Sequence, residues 1–293
     1  MNTLKQLNQV KQSGTLYLSQ DTSGWISRII GRNAQEDPSL MGYINGYFCR
    51  LQEILESDFE TVEAFDQSKI DTELIKLIGG STPIVMDRYL LNQLQCDRLE
   101  LSRYANGSKG PRPGADSIQD QLESLTNTLS NETDVVLVDD GTFSGGSLAY
   151  AATILEKSGI NISRSVCYFY NPAVAMENFE ASVPLKNMID WIDSRDLSIL
   201  GGRYNSLSSG DIVTVPYMAP FSDGSSASLA GRNLFPEISR FLIESEYQLF
   251  EALDLLGINF GQLKSRGFVP PVLDGEIASD DLSLNKYFRT LLS

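Results

Sequence analysis

The chain of 293 residues contains no histidine. That excludes Ser–His–Asp and Cys–His nucleophiles, every histidine metal ligand, and the side chain that most often moves protons near neutral pH. Cysteine is scarce. Cys49, Cys96 and Cys167 stand far apart with no C-x-x-C among them, which leaves neither a thiolate zinc site nor a disulfide framework; all three are expected to be reduced, buried, small hydrophobes of a cytoplasmic protein. Cations are also few: 23 Lys and Arg stand against 38 Asp and Glu, a formal net charge of −15. This balance argues against nucleic acid as a direct ligand and makes the place of each remaining cation informative. No apolar run is long enough to cross a bilayer as a helix, and Lys5 and Lys11 flank no apolar stretch of the signal-peptide kind, so no membrane partner is expected. The G-x-G-x-x-G dinucleotide fingerprint and the P-loop lysine are absent as well.

What is present is organised around residues 135–147. Four apolar residues, Val135 to Val138, three of them β-branched, are too short a run for a helix and read as a buried strand. Asp139 and Asp140 stand where that strand is expected to end. Gly141, Thr142, Phe143, Ser144, Gly145, Gly146 and Ser147 form a small-residue loop, and 148–159 reads as a helix rich in alanine and leucine that stops at Gly159. Glycines let the backbone approach an anion closely, and the N–H groups of the first helical turn point at it. Hydroxyls of Thr142, Ser144 and Ser147 can add donors. The two carboxylates suit sugar hydroxyls or Mg²⁺ rather than phosphate. The expected ligand is a sugar phosphate lying across both halves.

This stretch resembles the binding motif of the type I phosphoribosyltransferases for 5-phosphoribosyl-1-pyrophosphate (PRPP), in which an apolar strand, two acidic residues and a Thr/Ser/Gly loop follow one another. The resemblance implies that Asp139 and Asp140 hold the ribose hydroxyls and influence a Mg²⁺ ion. It implies that residues 141–147 cradle the 5-phosphate. It further implies a loop after the first core strand that contacts pyrophosphate, here residues 87–89 with Arg88 as the cation. A longer loop that closes over the site would be residues 104–114, with Lys109 and Arg112. Two departures stand out. Where purine-using relatives carry an acidic residue three positions after the second carboxylate, this chain has Phe143, which can stack or fill a pocket but cannot transfer a proton. The segment 87–89 also lacks the small residues usual in a pyrophosphate loop.

The fold expected is α/β: a type I phosphoribosyltransferase-like, mostly parallel sheet flanked by helices, with helical additions at both ends. Residues 1–78 are expected to form a mainly helical extension or cap, with helices at 42–56, 58–64 and 71–78. Residues 79–222 would form the core, with strands at 83–86, 98–102, 135–138, 162–169 and 211–215 and a short element at 189–192. A helix is expected to begin at 90–94 and another to span 117–129, while the glycines and prolines of 104–117 leave no stable element there. Residues 223–293 would add an amphipathic helix over 235–256, broken near Glu244, and an acidic tail with Asp274, Glu276, Asp280 and Asp281. Tyr170 and Asn171, at a strand end, are acceptor-contact candidates by the same resemblance.

The implied activity is Mg²⁺-dependent transfer of ribose 5-phosphate from PRPP to a nitrogenous acceptor with release of pyrophosphate. The alternative, from another class, is a regulatory or effector protein that binds PRPP or a nucleotide and acts on a protein partner, as in a bacterial defence or conflict system. The additional helices offer surface for a homodimer or for such a partner.

Overall fold

The computed structural model of the chain describes residues 11–20, 22–87, 90–91, 94–103, 108–112, 115–129, 134–173, 176–198, 203–206, 212–215, 235–266 and 283–291. In chain order the elements are β1 (Gln12–Gln20), α1 (Thr22–Ile30), α2 (Pro38–Asp58), β2 (Phe59–Asp66), α3 (Gln67–Ile78), β3 (Thr82–Val85), β4 (Asp97–Arg98), β5 (Leu101–Arg103), β6 (Lys109–Pro111) and α4 (Ile118–Leu129). The order continues with β7 (Val135–Thr142), α5 (Gly146–Lys157), β8 (Ile162–Tyr170), β9 (Phe179–Pro184), β10 (Met188–Asp193), β11 (Arg203–Ser206), β12 (Ile212–Val215), α6 (Phe235–Leu255), α7 (Phe260–Ser265) and α8 (Leu284–Leu291).

The main sheet has five strands in the order β4-β3-β7-β8-β9, all parallel. Its centre, Val135 to Val138, is apolar throughout because both faces are covered. Val136 and Val138 pack with Ile70, Leu74 and Ile78 of α3 on one side. Val135 and Leu137 pack with Leu125 and Leu129 of α4 and with Leu148, Ala151 and Leu155 of α5 on the other. From β3 the chain steps to β4 on one side, then returns to place β7 on the other. The order therefore reverses between β3 and β7, and the crevice at their carboxyl ends is where a parallel α/β sheet binds its ligand.

A second parallel sheet, β10-β1-β2, joins two strands that precede the expected core to β10, which falls within it. Successive side chains of β1 serve different clusters, as strand alternation demands. Leu16 and Leu18 join the cluster built by α1, α2 and α6, while Tyr17 joins Phe65 and Phe169 against the main sheet. Helices do dominate the segment before residue 79, with α2 and α3 close to their expected positions, but of the helix expected over 58–64 only Asp58 is helical, as the end of α2, and residues 59–64 belong to the strand β2. Phe59, Val62 and Phe65 recur every three residues, which mimics a helical stripe. In the strand Phe59 and Val62 face one cluster and Phe65 the other.

Further corrections follow. Leu90 and Leu91 form a turn rather than a helix start, with Leu91 at φ 52°. The expected strand 98–102 is two elements in different sheets, β4 and β5. The 104–117 segment does hold an element, since β6 pairs antiparallel with β5 in a ribbon that includes Gly110 and Pro111. Helix α6 runs unbroken past Glu244. Cys49 is exposed on α2 and Cys96 half-buried; only Cys167 is buried, and all three are free thiols. The acidic residues 274–281 lie outside the described residues. Among the described residues no helix is long and apolar enough to cross a membrane.

Candidate functional site

β7 runs four residues beyond its apolar run. Pairing with β3 stops at Val85 opposite Val138, but pairing with β8 continues through Gly141 opposite Phe169 and Thr142 opposite Tyr170. The strand therefore does not end at the carboxylates, as its sequence suggests. Asp139 and Asp140 instead lie in the part of β7 that has lost its neighbour β3, at the switch point itself. Both are partly buried. The N–H of Asp140 donates to Asp139 Oδ1 at 3.1 Å, and that of Gly141 to Asp140 Oδ1 at 2.7 Å.

The loop that follows is a built turn. The N–H of Gly145 donates to the buried Thr142 Oγ1 at 2.9 Å, and that of Gly146 reaches Ser144 Oγ at 3.4 Å. Gly145 occupies the cap position of α5 at φ 72°, in the left-handed region that glycine enters freely. It brings no side chain to cap the helix, so the first-turn N–H groups of Ser147 and Leu148 receive no acceptor from it, the arrangement that suits an exogenous anion. Ser144 and Gly146 are exposed, Ser147 is half-buried, and Phe143 is 38% exposed.

A cation reaches this tip from the ribbon. Arg112, just past β6, is anchored through its N–H to the Glu100 carbonyl at 2.9 Å. Its Nη1 lies 3.4 Å from Asp87 Oδ2, and both side chains are largely withdrawn from solvent. Asp87 stands two residues past Val85, the end of β3, in the segment 87–89 expected to contact pyrophosphate, where the sequence pointed to Arg88 and not to this carboxylate. Burial raises the Asp139 carboxyl to about 6; the negative charge of Asp87 pushes it the same way, while hydrogen bonds from Asp140 and the charge of Arg112 hold it back. These opposing influences place Asp87, Arg112, Asp139 and Asp140 in one electrostatic cluster. Cys167, opposite Asp139 on β8, has its thiol pushed well up by burial and by the two carboxylates, which removes it as a nucleophile.

The sequence-derived candidates thus divide. Asp139, Asp140, Arg112 and residues 141–147 come together at one end of the sheet. Lys109 lies on the same ribbon as Arg112, but its Nζ sits 5.1 Å from the ring centroid of Tyr150 on α5, where it ties the ribbon to that helix. Arg88 lies outside the described residues. Asn171 donates its N–H to the Thr142 carbonyl and Tyr170 stacks edge-on against Phe179, so both border the turn.

Among the described residues no group of three or more Asp, Glu, Cys or His side chains is arranged to hold a metal. Two adjacent carboxylates do fit Mg²⁺, which retains several waters and takes one or two protein carboxylates together with ligand phosphates. Compared with models of protein families, with curated proteins and with solved structures, the chain has no match.

Proposed function

We propose that this protein binds PRPP at the carboxyl ends of β3 and β7 and transfers its ribose 5-phosphate to a nitrogenous acceptor, releasing pyrophosphate. The observation that carries the reading is the switch-point arrangement: two carboxylates on the end of β7 that extends past β3, followed without a break by a left-handed glycine turn into α5, with Arg112 held on Asp87 just after β3. Asp139 and Asp140 would accept hydrogen bonds from the ribose hydroxyls, and they are the residues that would hold Mg²⁺. When bound, that ion would neutralise charge on the departing diphosphate. Thr142 positions Gly145, and the turn with the start of α5 would receive the 5-phosphate. Arg112 would receive the diphosphate, where negative charge grows as the glycosidic bond breaks. The transition state of such a transfer resembles an oxocarbenium ion, so the protein's work is positioning and charge stabilisation, for which no histidine is needed.

A second reading is favoured by one residue. Phe143, partly exposed beside the acidic pair, stands where an acid would serve a purine acceptor. Its ring suits a base held by stacking without proton transfer, as in a protein that senses PRPP or a nucleotide and acts through a partner.

One experiment separates the two readings: calorimetry with PRPP and Mg²⁺, then pyrophosphate release over a panel of bases and amines. Binding with release is the expected result, and binding without release assigns the sensor. In Asp139→Asn/Asp140→Asn, PRPP binding should fall below detection while the far-UV circular dichroism stays that of the wild type. Unchanged affinity would overturn the assignment.

A further inference from the structure

Arg98, at the end of β4, spends its guanidinium on backbone. Its Nη1 donates to the carbonyl of Asp87 at 2.7 Å and its Nη2 to that of Leu90 at 2.9 Å. A planar fork holds two carbonyls at a fixed separation, which a lysine ammonium cannot do. The same connection is gripped from its other side by α3. Asp71 Oδ1 accepts the Leu91 N–H at 3.2 Å and a bond from Gln67 at 3.0 Å. Leu91 is held at φ 52°, a left-handed conformation that is uncommon and strained for a bulky residue. Asp71, Asp87, Leu90 and Leu91 are all buried.

Burying charge is costly unless it is paired, and a strained leucine adds to the cost. β4 itself is a two-residue edge strand, while Leu90 and Leu91 pack into the cluster under α3, so the restraints fix the backbone between a buried anchor and the end of β3. The group delivered by these restraints is the Asp87 carboxylate, which meets Arg112 at 3.4 Å. Arg112 stands just past the short β5–β6 ribbon, and its contact with Asp87 ties its guanidinium to the end of β3.

We propose that Arg98 is a positioning residue: by holding the Asp87 and Leu90 carbonyls it aims Asp87 at Arg112, and so sets Arg112 beside the acidic pair as the receptor for the diphosphate half of the ligand. This rests on the phosphoribosyl reading of the site. It adds that the two ends of the ligand are served by separate supports. The turn after Thr142 takes the 5-phosphate without help from Arg98, and Arg112 takes the diphosphate with the support of the Arg98–Asp87 relay.

The test uses the full chain with Mg²⁺ and two probes, inorganic pyrophosphate and ribose 5-phosphate, titrated separately into the wild type, Arg98→Met and Arg98→Lys. The wild type should bind both. Arg98→Met should lose at least about tenfold in pyrophosphate affinity and keep its ribose 5-phosphate affinity within about twofold. Arg98→Lys keeps the charge but cannot span the two carbonyls, so it should show the same split to a smaller degree. If Arg98→Met does not fold, Arg98→Lys carries the test alone. Equal losses for both probes in the lysine variant would show that Arg98 only supports the fold, and wild-type pyrophosphate affinity in a folded variant would show that Arg112 needs no relay. Either result overturns the inference while leaving the phosphoribosyl reading standing. A wild type that binds neither probe overturns that reading, and this inference with it.

Discussion

Asp139 is held between opposing influences, and its titration follows from them. Its carboxyl is raised to about 6, first by burial and then by Asp87, against an ordinary value near 4. Between those two pH values Asp139 holds a proton in the folded chain that it has released in the unfolded one, so its contribution to stability falls as pH rises from about 4 to about 6 and is level on either side of that window. The effect is worth about 1–2 kcal/mol once the solvent reaching this partly exposed residue is allowed for. Asp71 and Asp97, also raised by burial, add slopes of the same sign, so Asp139→Asn should reduce the fall in stability between pH 4.5 and pH 7 and raise the stability of the unliganded protein at pH 7, checked by denaturant unfolding of both proteins at the two pH values. A slope as steep in the variant as in the wild type would place the titration elsewhere. The acidic pair itself was legible in the sequence, because two carboxylates after an apolar run have few structural uses. Asp87 was not. Its importance comes from β3 lying beside β7, a neighbour relation that no local spacing encodes.

The turn from β7 into α5 assigns different roles to its two adjacent glycines, a distinction the sequence alone does not make. Gly145 sits at φ 72°, where a Cβ collides with its own backbone, so Gly145→Ala should cost about 1–2 kcal/mol and weaken binding of ribose 5-phosphate. Gly146 opens the helix with ordinary dihedrals, and a Cβ there would meet only Ser144 Oγ at 3.5 Å, a normal contact. Gly146→Ala should therefore leave stability unchanged or raise it by up to about 1 kcal/mol, since alanine is the better helix former. Urea midpoints of the two variants check the contrast, and equal effects would show that the turn is not held as described. Helices α2 and α6 were readable from their apolar spacing, and α5 from its run of good helix formers and its glycine stop. Two of the misreadings come from strand pairing. In β2 pairing with the distant β1, and in β6 pairing with the neighbouring β5, overrides local propensity, so that a three-residue apolar repeat becomes a strand and Gly110-Pro111 joins a ladder.

On the scale of the whole molecule, the two parallel sheets are interleaved in sequence. β10 enters the three-stranded sheet only after the five-stranded sheet is complete. The cluster covering β1 draws on residues from Leu16 to Phe59 and again from Ile192 to Leu284. Tyr47 shows how the pieces meet: on α2 it stacks on Phe241 of α6 at 5.4 Å, and its hydroxyl donates to the Ser194 carbonyl at 3.0 Å, just past β10. The expectation of additions at the two ends rested on where the motif residues fall along the chain. It carried no information about which distant segments share a core. β1 also joins both clusters through alternate side chains, so loosening one should loosen the other. Phe250 is fully buried in the α2–α6 cluster, and Phe250→Ala should cost about 3–5 kcal/mol. Phe250 is far from Asp139 in sequence and belongs to another apolar cluster. Even so, thermal unfolding of the variant, followed by far-UV circular dichroism and by loss of ribose 5-phosphate binding, should show both signals shifting to lower temperature together. If circular dichroism lost part of its signal early while the ligand site melted at its wild-type temperature, the two sheets would be independent folding units and the shared strand β1 would not couple them.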